Sequence, residues 1–204
     1  MSTSTQNGVQ PKRKRGHLRV AAIMQAGIEV FSEKGYDAAT MTEIAARSGT
    51  AAASLYRFFP SKESLADALL LEHAKHALGG LTELRSRAAG MKLEDVASAL
   101  VELRLELQSQ RRFAVELADA RGGSDEKRRQ FREAMLDAIA SLLREVIPKL
   151  APKRAGVAAI VVLHALKGVA QIESQKTTTA QHLLVEVKEM LHAYFLSIRA
   201  SAGK

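Results

Sequence analysis

Between Thr40 and Glu63 the chain reads TMTEIAARSGTAAASLYRFFPSKE, and its side chains are of kinds that grip DNA rather than break bonds. Leu55 and Phe59 stand four apart and mark the buried side of a short helix, so Ala52, Ala53, Tyr56 and Arg57 fall on the other side. Small residues at the front of such a helix let its backbone approach base edges, and an alanine methyl can touch a thymine methyl. Tyr56 and the threonine hydroxyls can bond phosphates, which positions a protein without reading sequence. Lys62 falls in the first turn of the next helix, where a cation opposes the helix dipole. A DNA phosphate lying there would account for it.

The elements that must hold these groups are legible residue by residue. Thr40-Met41-Thr42-Glu43 fits the capping box, in which the Thr hydroxyl accepts from the N3 amide and the N3 Glu accepts from the cap amide. Ile44 and Ala45 then face inward, and Gly49 sits where a left-handed residue ends the helix. Thr50 or Ala51 caps the next helix, and Pro60 stops it, having no amide to continue the ladder. Ser61 caps a third helix with Ser64 at its N3 position. Two short helices joined by a tight turn over residues 40–59 make a helix-turn-helix, whose second helix lies in the major groove.

Phe31, Gly35-Tyr36, Thr40-Met41-Thr42-Glu43-Ile44-Ala45, Ser48-Gly49 and Leu55-Tyr56-Arg57-Phe58-Phe59-Pro60-Ser61-Lys62-Glu63 together resemble the tetracycline-repressor (TetR) family of bacterial transcription regulators. The resemblance covers the first third of the chain and is specific, because many positions match in order at fixed spacing. It implies a homodimer, one DNA-binding head per subunit, and a helical C-terminal domain that binds a small effector and dimerises. By the same resemblance, the DNA contacts are Thr40, Thr42, Thr50, Ala51, Ala52, Ala53, Tyr56, Arg57, Phe58 and Lys62. One departure stands out. Ala51-Ala52-Ala53 carries little hydrogen-bonding capacity, so shape readout, or Thr50 and Arg57, would carry more of the specificity.

Composition sets the frame. At 204 residues and 47% hydrophobic content the chain can build one large helical domain or two small ones. It has no cysteine, which excludes disulfides, thiolate nucleophiles and cysteine-ligated zinc. No apolar run approaches the ~18 residues of a membrane span, and the N-terminus lacks a signal-peptide core, so a cytoplasmic protein without membrane contact is expected. The net charge is +8, but residues 1–20 alone contribute +5, while residues 21–76 sum to −2. The basic run Lys12-Arg13-Lys14-Arg15 therefore dominates. Residues 1–16 are expected to form a disordered basic arm, which could track phosphates or enter the minor groove.

The remainder is read as helical throughout, without strand alternation or hairpin turns, giving an all-α chain of about nine helices. Val20, Ile23, Gly27, Val30 and Phe31 form one face of a first helix that stops at Gly35. Ser61–Leu78 is expected to end at Gly79-Gly80, with a further turn or two before Gly90. Lys92–Ser109, Arg112–Arg121 and Asp125–Ile147 follow, the last capped by Ser124 after a Gly122-Gly123 loop. Arg154–Gln175 is apolar nearly all round, and after a turn and cap at Lys176–Thr179, Ala180–Ala200 carries a long apolar stripe. Pairing 154–175 and 180–200 with a second copy would make a four-helix dimer interface. The domain boundaries follow as an arm over 1–16, a DNA-binding head over 17–77, and an effector-binding and dimerisation domain over 78–204.

Polar residues within apolar stripes are the clues to an effector site: Arg104 between Leu100 and Leu107, and His164 in the apolar helix. His73 and His76 lack a third partner, so no metal is expected, and no cofactor. Nucleophile arrangements, phosphate-cradling glycine loops and HExxH are all missing, so no enzymatic activity is expected. The function expected is a ligand-responsive DNA-binding regulator, most simply a homodimeric repressor that binds a palindromic operator and is released by a small molecule. The alternative is a ligand-independent activator or chromosome-organising protein of the same fold.

Overall fold

Residues 12–120, 125–173 and 178–202 are described by a computed structural model, and all regular structure in them is helical. Most of the expected basic arm, the Gly122-Gly123-Ser124 loop and cap, and the Lys176-Thr177 part of the last turn lie outside the described residues.

Helix α1 (Lys12–Ala38) begins at Lys12, so the basic run opens the helix instead of preceding it. It breaks at Gly35, where φ is 79°, a left-handed conformation that glycine alone adopts freely. Two short helices follow, α2 (Met41–Arg47) and α3 (Ala52–Phe58), then the long α4 (Lys62–Arg87). Ile23, Ala26, Val30 and Phe31 of α1, Ile44 and Ala45 of α2, Leu55 of α3, and Leu65, Ala66 and Leu69 of α4 form one apolar core. Helices α2 and α3 are seven residues each, too short to be stable alone, so burial holds them.

The glycine pair at 79–80 does not end α4. A glycine inside a helix costs only about 1 kcal/mol, and at position 80 it serves packing. A Cβ there would lie 2.5 Å from Leu103 Cδ1, so the missing side chain lets α4 and α5 (Leu93–Glu106) approach closely. The stop is Gly90, with φ 82°.

Helix α5 ends at Glu106, short of the Ser109 expected, and after the cap residue Leu107 α6 (Gln108–Ala120) starts at once. The chain closes with α7 (Asp125–Val146), α8 (Pro152–Glu173) and α9 (Thr178–Ala202). A second, larger core joins Leu81 and Leu84 of α4, Val96, Leu100 and Val101 of α5, Leu142 and Leu143 of α7, Ala158 and Val162 of α8, and Leu191, Phe195 and Ile198 of α9.

The described residues group into two units. One holds those through Leu71 together with the segment from Phe113 of α6, whose Leu117 is buried in the first core. The other holds Glu72–Arg112 and the described residues from α7 onward. Among the described residues no helix is long and apolar enough to cross a membrane.

Candidate nucleic-acid interface

The turn from α2 to α3 is built by backbone bonds. Gly49, at φ 62°, ends α2, and the Thr50 amide returns to the Ala45 carbonyl at 3.0 Å. Helix α3 has no side-chain cap, because its N-cap residue is Ala51. Its amides at Ser54 and Leu55 both bond to the Ala51 carbonyl. What fixes α3 is Leu55, with no exposed surface, and Phe59 just past its end.

That anchoring turns the opposite face outward. Ala51, Ala52, Ala53 and Arg57 are exposed, and Tyr56 is 47% exposed despite its ring. Thr42 of α2 is exposed as well, and its hydroxyl has no partner among the described residues. Phe58 is half-buried against the first core, and its ring lies 5.4 Å from the Arg57 guanidinium, so it holds Arg57 as much as it presents itself. Thr50 is half-buried, its hydroxyl 3.5 Å from the Ser48 carbonyl, a weak bond at most.

Thr40 is occupied with its own helix. Its hydroxyl accepts from the Glu43 amide at 3.3 Å and donates to Glu43 Oε2 at 2.9 Å, while its amide donates to the same oxygen at 3.1 Å. The capping box is complete. Lys34 of α1 pairs with the other Glu43 oxygen. Hydrogen bonds from Lys34 first, then from the Thr40 hydroxyl and amide, pull the Glu43 carboxyl down to about 2.

Two further contacts steady the head. The Arg47 guanidinium of α2 meets Glu33 of α1 with two bonds, at 2.7 and 2.8 Å, and reaches Glu29 at 3.4 Å. The Glu33 carboxyl is held below its ordinary range chiefly by the Arg47 bond, and Arg47 is pushed up by the same contact. No sequence motif announces this clamp. A hint does exist, since Glu29 and Glu33 are like charges at i, i+4, a pairing that costs energy unless a cation sits beside it.

Lys62 is the residue the structure turns around. It does sit in the first turn of α4, but its ammonium donates to the carbonyls of Tyr36, Asp37 and Ala39 at 2.8, 3.0 and 3.1 Å. An ammonium has three donors, and all three are in use. These carbonyls, at the end of α1 and just beyond it, are neutral but carry partial negative charge, and α1 has no basic residue of its own in its last turn.

Away from the head, Arg104 is half-buried, and its Nε donates to the Leu166 carbonyl of α8 at 3.1 Å. His164 is exposed on α8. His73 packs at a centroid distance of 6.1 Å from the Phe131 ring. Among the described residues no cluster of three metal-ligating side chains occurs.

The family model described as bacterial regulatory proteins, tetR family, matches residues 23–69, and a tetracyclin repressor-like C-terminal domain model matches residues 92–195. The HTH-type transcriptional regulator UidR of Escherichia coli K12 is 31% identical over 118 residues, which is 57% of this chain and 55% of UidR. The uncharacterised HTH-type regulator YvdT of Bacillus subtilis is 40% identical over 68 residues, 33% of this chain and 34% of YvdT. The matched stretches thus span about half, or less, of these relatives. Among solved structures, FadR of Bacillus subtilis in complex with stearoyl-CoA superposes with a TM-score of 0.62 at 19% identity, over 84% of this chain and 96% of that one. This last likeness is one of fold.

Proposed function

Because the chain belongs to the tetR family of bacterial regulatory proteins, and is a DNA-binding transcriptional regulator, we propose that it is a homodimeric repressor of a palindromic operator, released by a small-molecule effector. The observation that carries the DNA side is the outward face of α3. Ala51, Ala52 and Ala53 present methyl groups to base edges, Arg57 supplies the cation for a base or phosphate, and Tyr56 and Thr42 supply hydroxyls for the backbone. Thr50 stands at the turn where α3 begins, and Phe58 supports Arg57 from below. Thr40 contributes as a cap. Lys62 lies in the same head with its donors turned inward.

The dimer reading is supported by an uncovered apolar face. Val157, Ile160 and Val161 of α8 are 42–46% exposed, at helical spacing, and Leu183 and Met190 of α9 are also exposed. A second copy laid on these helices would cover them, and a two-fold pair would set two recognition helices about 34–36 Å apart, one turn of DNA. His164 belongs to this face, which leaves Arg104 as the polar group at the margin of the larger core. The guanidinium nitrogens of Arg104 and the His73 Nδ1 are buried in the same unit as that apolar core, which supports a largely apolar effector with a polar end. The effector would act by binding best to a state whose heads are misplaced for the operator.

The test is footprinting on the DNA upstream of the chain's own gene, joined to sedimentation of the free protein. Two protected half-sites one helical turn apart and a particle of twice the 22.1 kDa chain mass are expected. A monomer with a single unpaired half-site would refute the dimeric reading.

A further inference from the structure

We propose that Lys62 is a positioning residue for DNA binding, a staple that closes the helix-turn-helix at its base, rather than a phosphate ligand. This rests on the DNA-binding reading above and adds to it. The helix-turn-helix begins at the cap Thr40 and ends at Phe59. The three carbonyls that Lys62 holds belong to Tyr36, Asp37 and Ala39, the residues that lead directly into that cap. Lys62 itself stands three residues after Phe59. One ammonium thus ties the entry of the motif to its exit, and α2, the turn and α3 form a loop closed at its base.

Neighbouring contacts point the same way. The Tyr36 ring lies beside the ammonium, 4.6 Å from its centroid, and the Tyr36 hydroxyl donates to Glu63 at 3.2 Å. Gly35, at φ 79°, turns the chain so that successive carbonyls face α4. At the other side of the staple, Ser61 and Ser64 cap α4 reciprocally, each amide donating to the other's hydroxyl at 3.1 and 3.2 Å. The first turn of α4 is therefore rigid where it grips. A charge-assisted bond to a carbonyl is stronger than a neutral one, and three of them to one short segment leave that segment little freedom. Fixing the entry of α2 fixes the angle at which α3 meets the groove.

The two roles differ in their response to salt. Each phosphate contact contributes about 0.9 to the slope of log affinity against log salt concentration, so losing one lowers the slope by about 1. A positioning residue carries none of that slope. In the Lys62→Met variant, specific affinity for the upstream DNA should fall about tenfold or more, affinity for scrambled DNA should hold, and both slopes should stay as in the parent. A slope lower by about one, with equal losses on both DNAs, would overturn the proposal, as would unchanged specific affinity. Should the variant not fold, the unaltered protein gives the answer through amine labelling read by mass spectrometry. Lys62 should label far more slowly than Lys75, whose side chain is 63% exposed, and DNA should not change its rate. Fast labelling that DNA suppresses would identify a phosphate ligand and overturn the staple. A parent protein that does not distinguish upstream from scrambled DNA would instead count against the operator reading, and labelling would still decide the staple.

Discussion

Replacing Thr40 by alanine removes half of the capping box and nothing else. The side chain is exposed, so no cavity opens. Two bonds are lost, the one accepted from the Glu43 amide at 3.3 Å and the one donated to Glu43 Oε2 at 2.9 Å. The bond from the residue-40 amide to Glu43 survives, because it is backbone. The cost is that of an N-cap Thr→Ala change, about 1 kcal/mol, and α2 has only seven residues over which to absorb it. For a chain of 204 residues this corresponds to a fall in Tm of about 2–4 °C. Thermal unfolding followed by circular dichroism should show that drop for Thr40→Ala, while Thr40→Ser, which keeps the hydroxyl, should stay within about 0.5 kcal/mol of the parent. If Thr40→Ala melted with the parent, or Thr40→Ser fell as far as the alanine variant, the cap would not be what secures α2.

Other perturbations separate the remaining contacts. The Glu43 carboxyl is depressed from 4.5 to about 2, so its stabilising contribution is present in full above pH 4.5 and is lost as pH falls toward 2. Its carboxyl carbon, followed by NMR, should titrate near 2, and a midpoint near the ordinary glutamate value would deny the Lys34 and Thr40 contacts. Gly49→Ala meets no atom within 4 Å, so its cost is backbone strain alone at φ 62°. A loss of about 1 kcal/mol is expected, seen as a lower denaturation midpoint with an unchanged m-value. A variant as stable as the parent would mean that the α2–α3 turn does not need a left-handed residue.

Local signals in this chain carried as far as local physics reaches. The Thr40–Glu43 box, the break at Gly35, the left-handed Gly49, the Ser61–Ser64 cap and the buried pair Leu55 and Phe59 each depend on residues within one or two turns, and each is found in the structure. What could not be read locally depends on partners far along the chain. Gly79-Gly80 looks like a stop until Leu103 is seen against it. Lys62 is placed in a helix first turn by its local sequence, but the three carbonyls around its ammonium come from 23 to 26 residues earlier and are not legible there. Leu117 of α6 joins the core of the head from nearly fifty residues beyond α4's last head residue, a contact no helical periodicity encodes. The exposure of His164 was also hidden, because an apolar stretch does not say which of its faces a helix leaves open.

In the proposed function the outward face of α3 reads a specific DNA sequence. Its most direct test is equilibrium binding of the purified protein to the DNA upstream of its own gene and to a scrambled duplex, at two salt concentrations. Specific binding predicts a preference of about a thousandfold or more that persists at the higher salt. Equal affinity for both duplexes, collapsing together as salt rises, would contradict it and leave only phosphate attraction to explain the binding.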